Sequence, residues 1–173
     1  MADLTFNTIA GATIARKLFV LYLNTGTSSS PVWSPIGKRV EDSSVEYDWQ
    51  EESKVDIFGQ TYTTFKAPIL TQTFDPCELD AGDTAQVKFW NMAIKDQDIS
   101  AMTTNDMLLV HCYAGTATSA MFAERYNACA VKPSGLGGSD TVTMPIDVTF
   151  GGERTLGTAA VGTGGAITFT AAA

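Results

Sequence analysis

Charge is scarce in this chain. Only 17% of its 173 residues are Asp, Glu, Lys or Arg, against roughly 25% in ordinary soluble domains. Thr, Ser, Ala and Gly fill the difference, which suits a surface made for extensive protein contact and equally suits any compact β protein. Histidine is nearly missing: His111 stands alone at the end of the apolar run Met107–Val110, where a hydrogen-bonded core residue is the ordinary reading and a catalytic base the rare one. No G-x-S-x-G, H-E-x-x-H or G-x-x-x-x-G-K-[ST] occurs. The glycine-rich Leu136–Asp140 opens a strand rather than a helix, so it does not form the usual phosphate cradle. Neither a catalytic residue nor a cofactor is expected. Cys77, Cys112 and Cys129 are odd in number and lack C-x-x-C spacing; they read as reduced thiols packed as small hydrophobes.

Long apolar runs are missing too. Leu18–Leu23 is far too short to span a bilayer. Met1-Ala2-Asp3 begins neither a basic n-region nor an apolar h-region, so no signal peptide and no membrane anchor are expected. A basic surface is equally absent. The net charge is −8, which argues against DNA as a bound ligand, because duplex binding depends on neutralising phosphates.

What charge there is lies unevenly. Residues 1–40 carry Arg16, Lys17, Lys38 and Arg39 against Asp3, whereas residues 41–56 hold seven carboxylates and the single Lys54. A length this size suits one domain, 1–173, with a core that needs no staples. The acidic stretch also keeps Trp49, Val55, Ile57 and Phe58. A disordered acidic loop would have few such residues, so residues 49–60 read as a long hairpin loop held ready for another surface. Glu51, Glu52 and Asp56 lack the D-x-D-x-D-G spacing of a calcium loop, and a solvated or salt-bridged loop is expected there; no metal site is.

Period-2 patterning dominates elsewhere. Strands are expected at Lys17–Leu23, Arg39–Trp49, Gln60–Lys66, Ile69–Phe74, Met107–Ala114 and Ala120–Val131. On Arg39–Trp49 one face holds Val45, Tyr47 and Trp49, and the other holds Asp42, Ser44, Glu46 and Asp48. Thr141–Phe150 alternates most cleanly, with Pro145 marking an edge or bulge. Gly151-Gly152 is expected to close a hairpin into Glu153–Val161, with a last strand at Ile167–Thr170. One helix is expected over 80–96, with Asp80 as N-cap and Val87, Trp90 and Ile94 on the core face beside Phe89 and Ala93. A cofactor box on that face is the remote alternative. Residues 1–16 read as a small-polar arm. Residues 156–173, rich in Gly, Thr and Ala, read as either a flexible tail or a weak strand.

The order of these segments carries a resemblance. An N-terminal arm leads to Leu18–Leu23; Trp33–Trp49 feeds the charged loop; Lys54–Thr63 and Thr71–Cys77 follow, and then a single helix. This resembles the major tail tube protein of long, non-contractile-tailed (siphovirus-type) bacteriophages, over nearly the whole chain and most specifically over Trp33–Pro76. The resemblance implies a mainly β fold: a β-sandwich flanked by one α-helix, with a long extended hairpin loop and terminal arms. It implies a structural virion protein, assembled in the host cytoplasm, whose hexameric rings join their inner sheets into a β-barrel. The rings stack head to tail into a tube conducting DNA without binding it specifically. Implied partners are other copies of the chain, a tape-measure protein, a tail terminator and distal tail proteins. An Ig-like C-terminal domain, which some of these proteins carry, is not expected.

Two expectations about sites follow. The loop residues Trp49, Glu51, Glu52, Lys54, Val55, Asp56 and Phe58 are expected to stack onto the next ring, with Arg16, Lys17, Lys38 and Arg39 as basic partners. Asp42, Ser44, Glu46 and Asp48 are expected to face the lumen; an ordinary solvated outer face is the alternative. For the whole protein, the alternative is a virion decoration or adhesin-type β-sandwich binding module.

Overall fold

A computed structural model describes residues 4–172; the expected arm and tail therefore extend outside the described residues at 1–3 and 173. The chain is mainly β, with ten strands in one curled antiparallel sheet and two in a separate hairpin. In chain order the strands are β1 (Phe19–Asn24), β2 (Trp33–Ile36), β3 (Val40–Asp42), β4 (Val45–Asp48), β5 (Glu52–Val55), β6 (Thr61–Thr64), β7 (Ile69–Cys77), β8 (Asn105–Thr116), β9 (Ala120–Pro133), β10 (Ile146–Thr149), β11 (Arg154–Val161) and β12 (Ile167–Ala171). Two short helices, α1 (Thr84–Trp90) and α2 (Ile99–Thr103), interrupt them.

The curl is built on β9. Its first half lies between β8 and β11, so β2-β1-β8-β9-β11-β12 form one half-sheet. Its second half pairs with β10 from Ala130 to Pro133, and β10, β7, β3 and β4 continue the other half-sheet. The expected hairpin at Gly151-Gly152 is corrected by this pairing. β10 and β11 lie one after the other along the same edge of β9, with Ile146 opposite Pro133 and Arg154 opposite Tyr126. The two glycines mark a bend, slipped by one residue, where the strand pair turns the corner between half-sheets. A Cβ on Gly152 would come within 2.1 Å of Asn127 Oδ1, and Gly152 has φ +74°, so only glycine fits that corner.

Between the half-sheets lies the main core: Leu21, Leu23, Met107, Leu109, Val131, Ile146, Val148, Leu70 and Phe74. The opposite face of the first half-sheet buries a second cluster, with Trp33, Leu108, Val110, Ala123, Ala159 and Ile167. β8 is thus covered on both faces over Met107–Val110, which explains why its sequence is a continuous apolar run rather than an alternation.

The expected strand Arg39–Trp49 is divided in two, yet it keeps one register on β7, from Val40 opposite Cys77 to Asp48 opposite Ile69. The gap at Ser43-Ser44 is where Gln72 Nε2 donates to Ser43 Oγ and Arg16 Nε donates to the Ser43 carbonyl. Thr141–Phe150 shortens to β10, which begins just after Pro145, a residue without an N–H for the ladder. The alternation survives in burial: Met144, Ile146, Val148 and Phe150 are buried, while Val142 is exposed.

The helix departs furthest from expectation. Asp83, not Asp80, is the N-cap, and its carboxylate accepts from the Ala85 and Gln86 N–H groups. Asp80 instead pairs with Lys38 and Arg39. α1 runs on through a wider turn at Asn91–Lys95. Its buried side is Ala85, Phe89 and Met92, with the expected Ile94 also packed against the core, and Val87 and Trp90 are turned outward. Two adjacent apolar stripes were available in the sequence, and the cap position decides which one meets the core.

The N-terminal segment is partly docked. Phe6 bridges Ala114, and Asn7 donates to the Tyr113 carbonyl. The C-terminal segment resolves in favour of strand, with β12 paired to β11 over Ile167–Ala171.

Candidate functional site

Three surfaces stand out, and none resembles an active site. The first is the outward face of the second half-sheet. Alternation on β7 puts Leu70, Gln72 and Phe74 inside and Ile69, Thr71, Thr73 and Asp75 outside. Residues opposite one another share a face. Glu46 opposes Thr71, Asp48 opposes Ile69, Asp42 opposes Asp75, and Asp147 opposes both Thr73 and Lys132. Asp42, Ser44, Glu46 and Asp48 are therefore brought together on one exposed face, joined by two carboxylates that sequence reasoning missed. Their signal was faint: Asp75 and Asp147 lie at the outward step of alternating strands, but only strand order reveals that those strands are neighbours. Lys132 is the cation on this face, 3.4 Å from Asp147, and threonines supply most of the remainder.

The second surface is the β5–β6 hairpin. It leaves the body beyond the Asp48–Ile69 end of β7 and makes its own two-stranded sheet. All eight of its strand residues are exposed. At its tip, Asp56 accepts from the Phe58 and Gln60 N–H groups. That Asx-type turn leaves Ile57 94% and Phe58 83% exposed. Glu52 lies 3.2 Å from Lys66 and 3.8 Å from Lys54. Of the expected stacking residues, then, Glu52, Lys54 and Asp56 are engaged within the hairpin. Trp49, Val55 and Phe58 present apolar surface, and Glu51 is exposed.

The expected basic partners lie elsewhere. Lys38 is 2.7 Å from Asp80, and Arg39 is 3.3 Å from both Glu78 and Asp80. These hydrogen bonds hold the Asp80 carboxyl down at about 2. Arg16 donates to the Ser43 and Phe19 carbonyls. Lys17 has no ion-pair partner among the described residues. Beside the Lys38–Asp80 pair lies the third surface, a groove of about 670 Å³ between α1 and the segment around Val142.

Behind these surfaces sits a buried polar network. Glu124, on the core side of β9, takes a hydrogen bond from Tyr126 at 2.9 Å and an ion pair from Arg154 at 2.6 Å. His111 Nε2 lies 3.0 Å from its other oxygen, and His111 Nδ1 lies 2.8 Å from the Tyr113 hydroxyl. The carboxylate only accepts, so Nε2 carries the proton and a neutral ring accepts from Tyr113. Burial raises the Glu124 pKa, but the bonds from His111, Arg154 and Tyr126 outweigh it and set it at about 2. The same burial and charge push Tyr126 up. His111 is thus a core residue with both ring nitrogens bonded, held rather than poised. The thiols are similarly inert: burial pushes Cys77 up to about 11 and Cys129 to about 12.

No family model and no curated protein matches the sequence. Solved structures do resemble it. A chain of an extracellular contractile injection system, the PVC sheath–tube complex in its extended state, has a TM-score of 0.50 at 10% identity, covering 86% of this chain and 94% of that one. A chain of the sheath/tube terminator of the same system scores 0.51 at 10% identity, covering 86% and 99%. At so low an identity the likeness is one of fold. This chain shares its fold with chains of injection-system tube assemblies. No helix of the described residues is long and apolar enough to cross a membrane.

Proposed function

We propose that this chain is the repeating subunit of a phage tail tube, a structural protein and not an enzyme. Six copies form a ring, rings stack head to tail, and DNA passes down the bore from capsid to host cell without specific binding. The observation that carries this reading is the second half-sheet. It has an open edge along β3 and β4, an outward face made mostly of Thr and carboxylate, and a second half-sheet that closes the core behind it. An exposed strand edge is a template for pairing with another chain, and joining such edges around a ring removes them. The outward face then becomes the inner wall of a barrel. The fold shared with injection-system chains supports the same architecture.

On this reading Asp42, Glu46, Asp48, Asp75 and Asp147, offset by Lys132, would give a six-membered ring about 24 net negative charges at the wall, focused by the narrow bore. Such a wall repels phosphates and offers no sticky site to arrest a passing duplex. A tape-measure protein would occupy the bore during assembly, with terminator and distal tail proteins at the ends. The protein would work in the virion tail after assembly in the host cytoplasm.

Electron microscopy of the purified protein over a concentration series tests the proposal. Six-fold rings or hollow tubes are expected at high concentration. A particle that stays monomeric or trimeric at every concentration would instead mark a decoration or adhesin-type module.

A further inference from the structure

Resting on the tube reading, we infer that the groove between α1 and the Val142 segment is the receptor for the β5–β6 tip of a second copy. The groove is lined by Leu79, Val87, Trp90 and Val142. Val142 is 53% exposed although it continues the alternation of the buried Met144, Ile146 and Val148, and Val87, 41% exposed, lies with Trp90 on the outward apolar stripe of α1. Its volume is of the size that accepts a few large side chains. The tip offers two, Ile57 and Phe58, on a two-stranded hairpin of a kind that is marginal in water by itself.

The two features stand at opposite ends of the same strand. The hairpin leaves beyond the Ile69 end of β7. The groove lies past the Cys77 end, where Leu79 donates to the Val142 carbonyl and α1 begins soon after. β7 alone separates them by about 27 Å at the strand rise. A tip and a receptor at opposite poles define a heterologous contact, which propagates from copy to copy instead of closing on a pair.

Charge leaves the apolar contact unopposed. On the groove rim Lys38 and Arg39 are paired with Asp80 and Glu78. On the hairpin Glu52 is paired with Lys54 and Lys66. The groove rim is thus compensated, whereas Glu51 and Asp56 on the hairpin have no ion-pair partner among the described residues, so charge guides register around an apolar plug.

Substitution and crosslinking test this together. Val87→Asp and Val142→Asp, made separately, should each raise the concentration needed for tube growth at least tenfold, with the melting temperature of the free subunit unchanged. Phe58→Asp should match them. Phe58→Cys and Val142→Cys chains, mixed in a Cys112→Ser background and oxidised, should give a disulfide-linked pair only above the assembly threshold. If wild-type tubes form and both groove variants assemble at the wild-type threshold, the groove is not the receptor, while the tube reading survives. If the wild-type protein never forms rings or tubes, the tube reading falls and the receptor falls with it.

Discussion

β8–β9 and β5–β6 are both antiparallel hairpins, yet they sit at opposite extremes of this molecule. β8–β9 is buried on both faces over much of its length, carries Leu108, Leu109 and Val110 with no exposure, and holds the Glu124 network at its centre. β5–β6 has every strand residue in solvent, a polar Ser53–Thr63 hydroxyl pair, and exposed apolar groups at its tip and base. The first spends its apolar surface on making one subunit stable. The second leaves it in solvent, where the proposed function would have another copy complete it. On that proposal stability and assembly are separable, and substitutions in the two hairpins should sort accordingly.

The sharpest contrast is between two glutamates. Glu124→Ala leaves the His111, Tyr126 and Arg154 partners without their carboxylate. Removing one partner of a buried pair costs roughly 3–5 kcal/mol, and the partial exposure of Arg154 places this case at the lower end, a fall of about 10 °C in melting temperature for a chain of this size. Glu52→Ala removes two exposed ion pairs and should change stability by less than about 0.5 kcal/mol. Urea titration of both variants measures the difference. Equal losses would erase the distinction between the hairpins.

Acid should act on the same network. The Glu124 pKa is depressed to about 2 in the folded chain from an ordinary value near 4.5. Its contribution is complete above that ordinary value and is lost as the pH falls toward 2, because the unfolded chain takes up the proton first. The urea midpoint of the wild type should therefore drop between pH 5 and pH 2, and Glu124→Gln should flatten that slope. An unchanged slope in the variant would assign acid sensitivity to the surface carboxylates, with Asp80, also held at about 2, the first candidate.

How far each hairpin could be read in advance follows the same division. Alternation located the strands around β4, β7 and β10, because a half-buried strand writes its two faces directly into the chain. The exposed, partly apolar loop at 49–60 was visible for the opposite reason: it violates what a loop needs for itself. Glu124 was missed. It occupies an inward step of β9 between Phe122 and Tyr126, and a lone carboxylate at such a step was the available signal. Tyr126, two residues on along the same face of β9, is a local partner, but His111 and Arg154 come from β8 and β11, and no local pattern names them. Gly151-Gly152 misled because a hairpin and a corner ask the same of glycine, and only the distant strand β9 distinguishes them. The core face of α1 was read correctly at Phe89 and Ile94 and wrongly at Val87 and Trp90, because two apolar stripes competed and the N-cap falls at Asp83.

A smaller effect, in protection rather than stability, should appear on assembly. Residues 49–60 are hydrogen-bonded only within an exposed two-stranded hairpin that opens at little cost, so their amides should exchange quickly in free subunits and slow strongly in tubes. Residues 5–7, already hydrogen-bonded to the end of β8, should gain less. Equal protection of 49–60 in both forms would mean that the hairpin is not an assembly element. Glu51→Lys combined with Glu52→Lys should slow tube growth without preventing it, since the charges guide register and the tip supplies the contact.

The smallest change in the free subunit belongs to the acidic sheet face, and it separates wall from ordinary surface. Asp42, Glu46 and Asp48 are exposed and have no ion-pair partner among the described residues, so replacing all three with Lys should leave the melting temperature nearly unchanged. The register with β7 also survives, because the inward Val45 is untouched and the ladder bonds are backbone bonds. In an assembled tube the consequence differs. Six copies would convert about 18 negative charges at the wall into as many positive ones, opposite the phosphates of a confined duplex, where each contact retains DNA in proportion to the charge neutralised. Tubes should still form, and DNA ejection from virions carrying the variant should slow or stall, most at low salt, where the Debye length is longest. Ejection at the wild-type rate from intact variant tubes would move this face off the bore, and the half-sheet that lines the lumen would then have to be sought on the opposite side of the core.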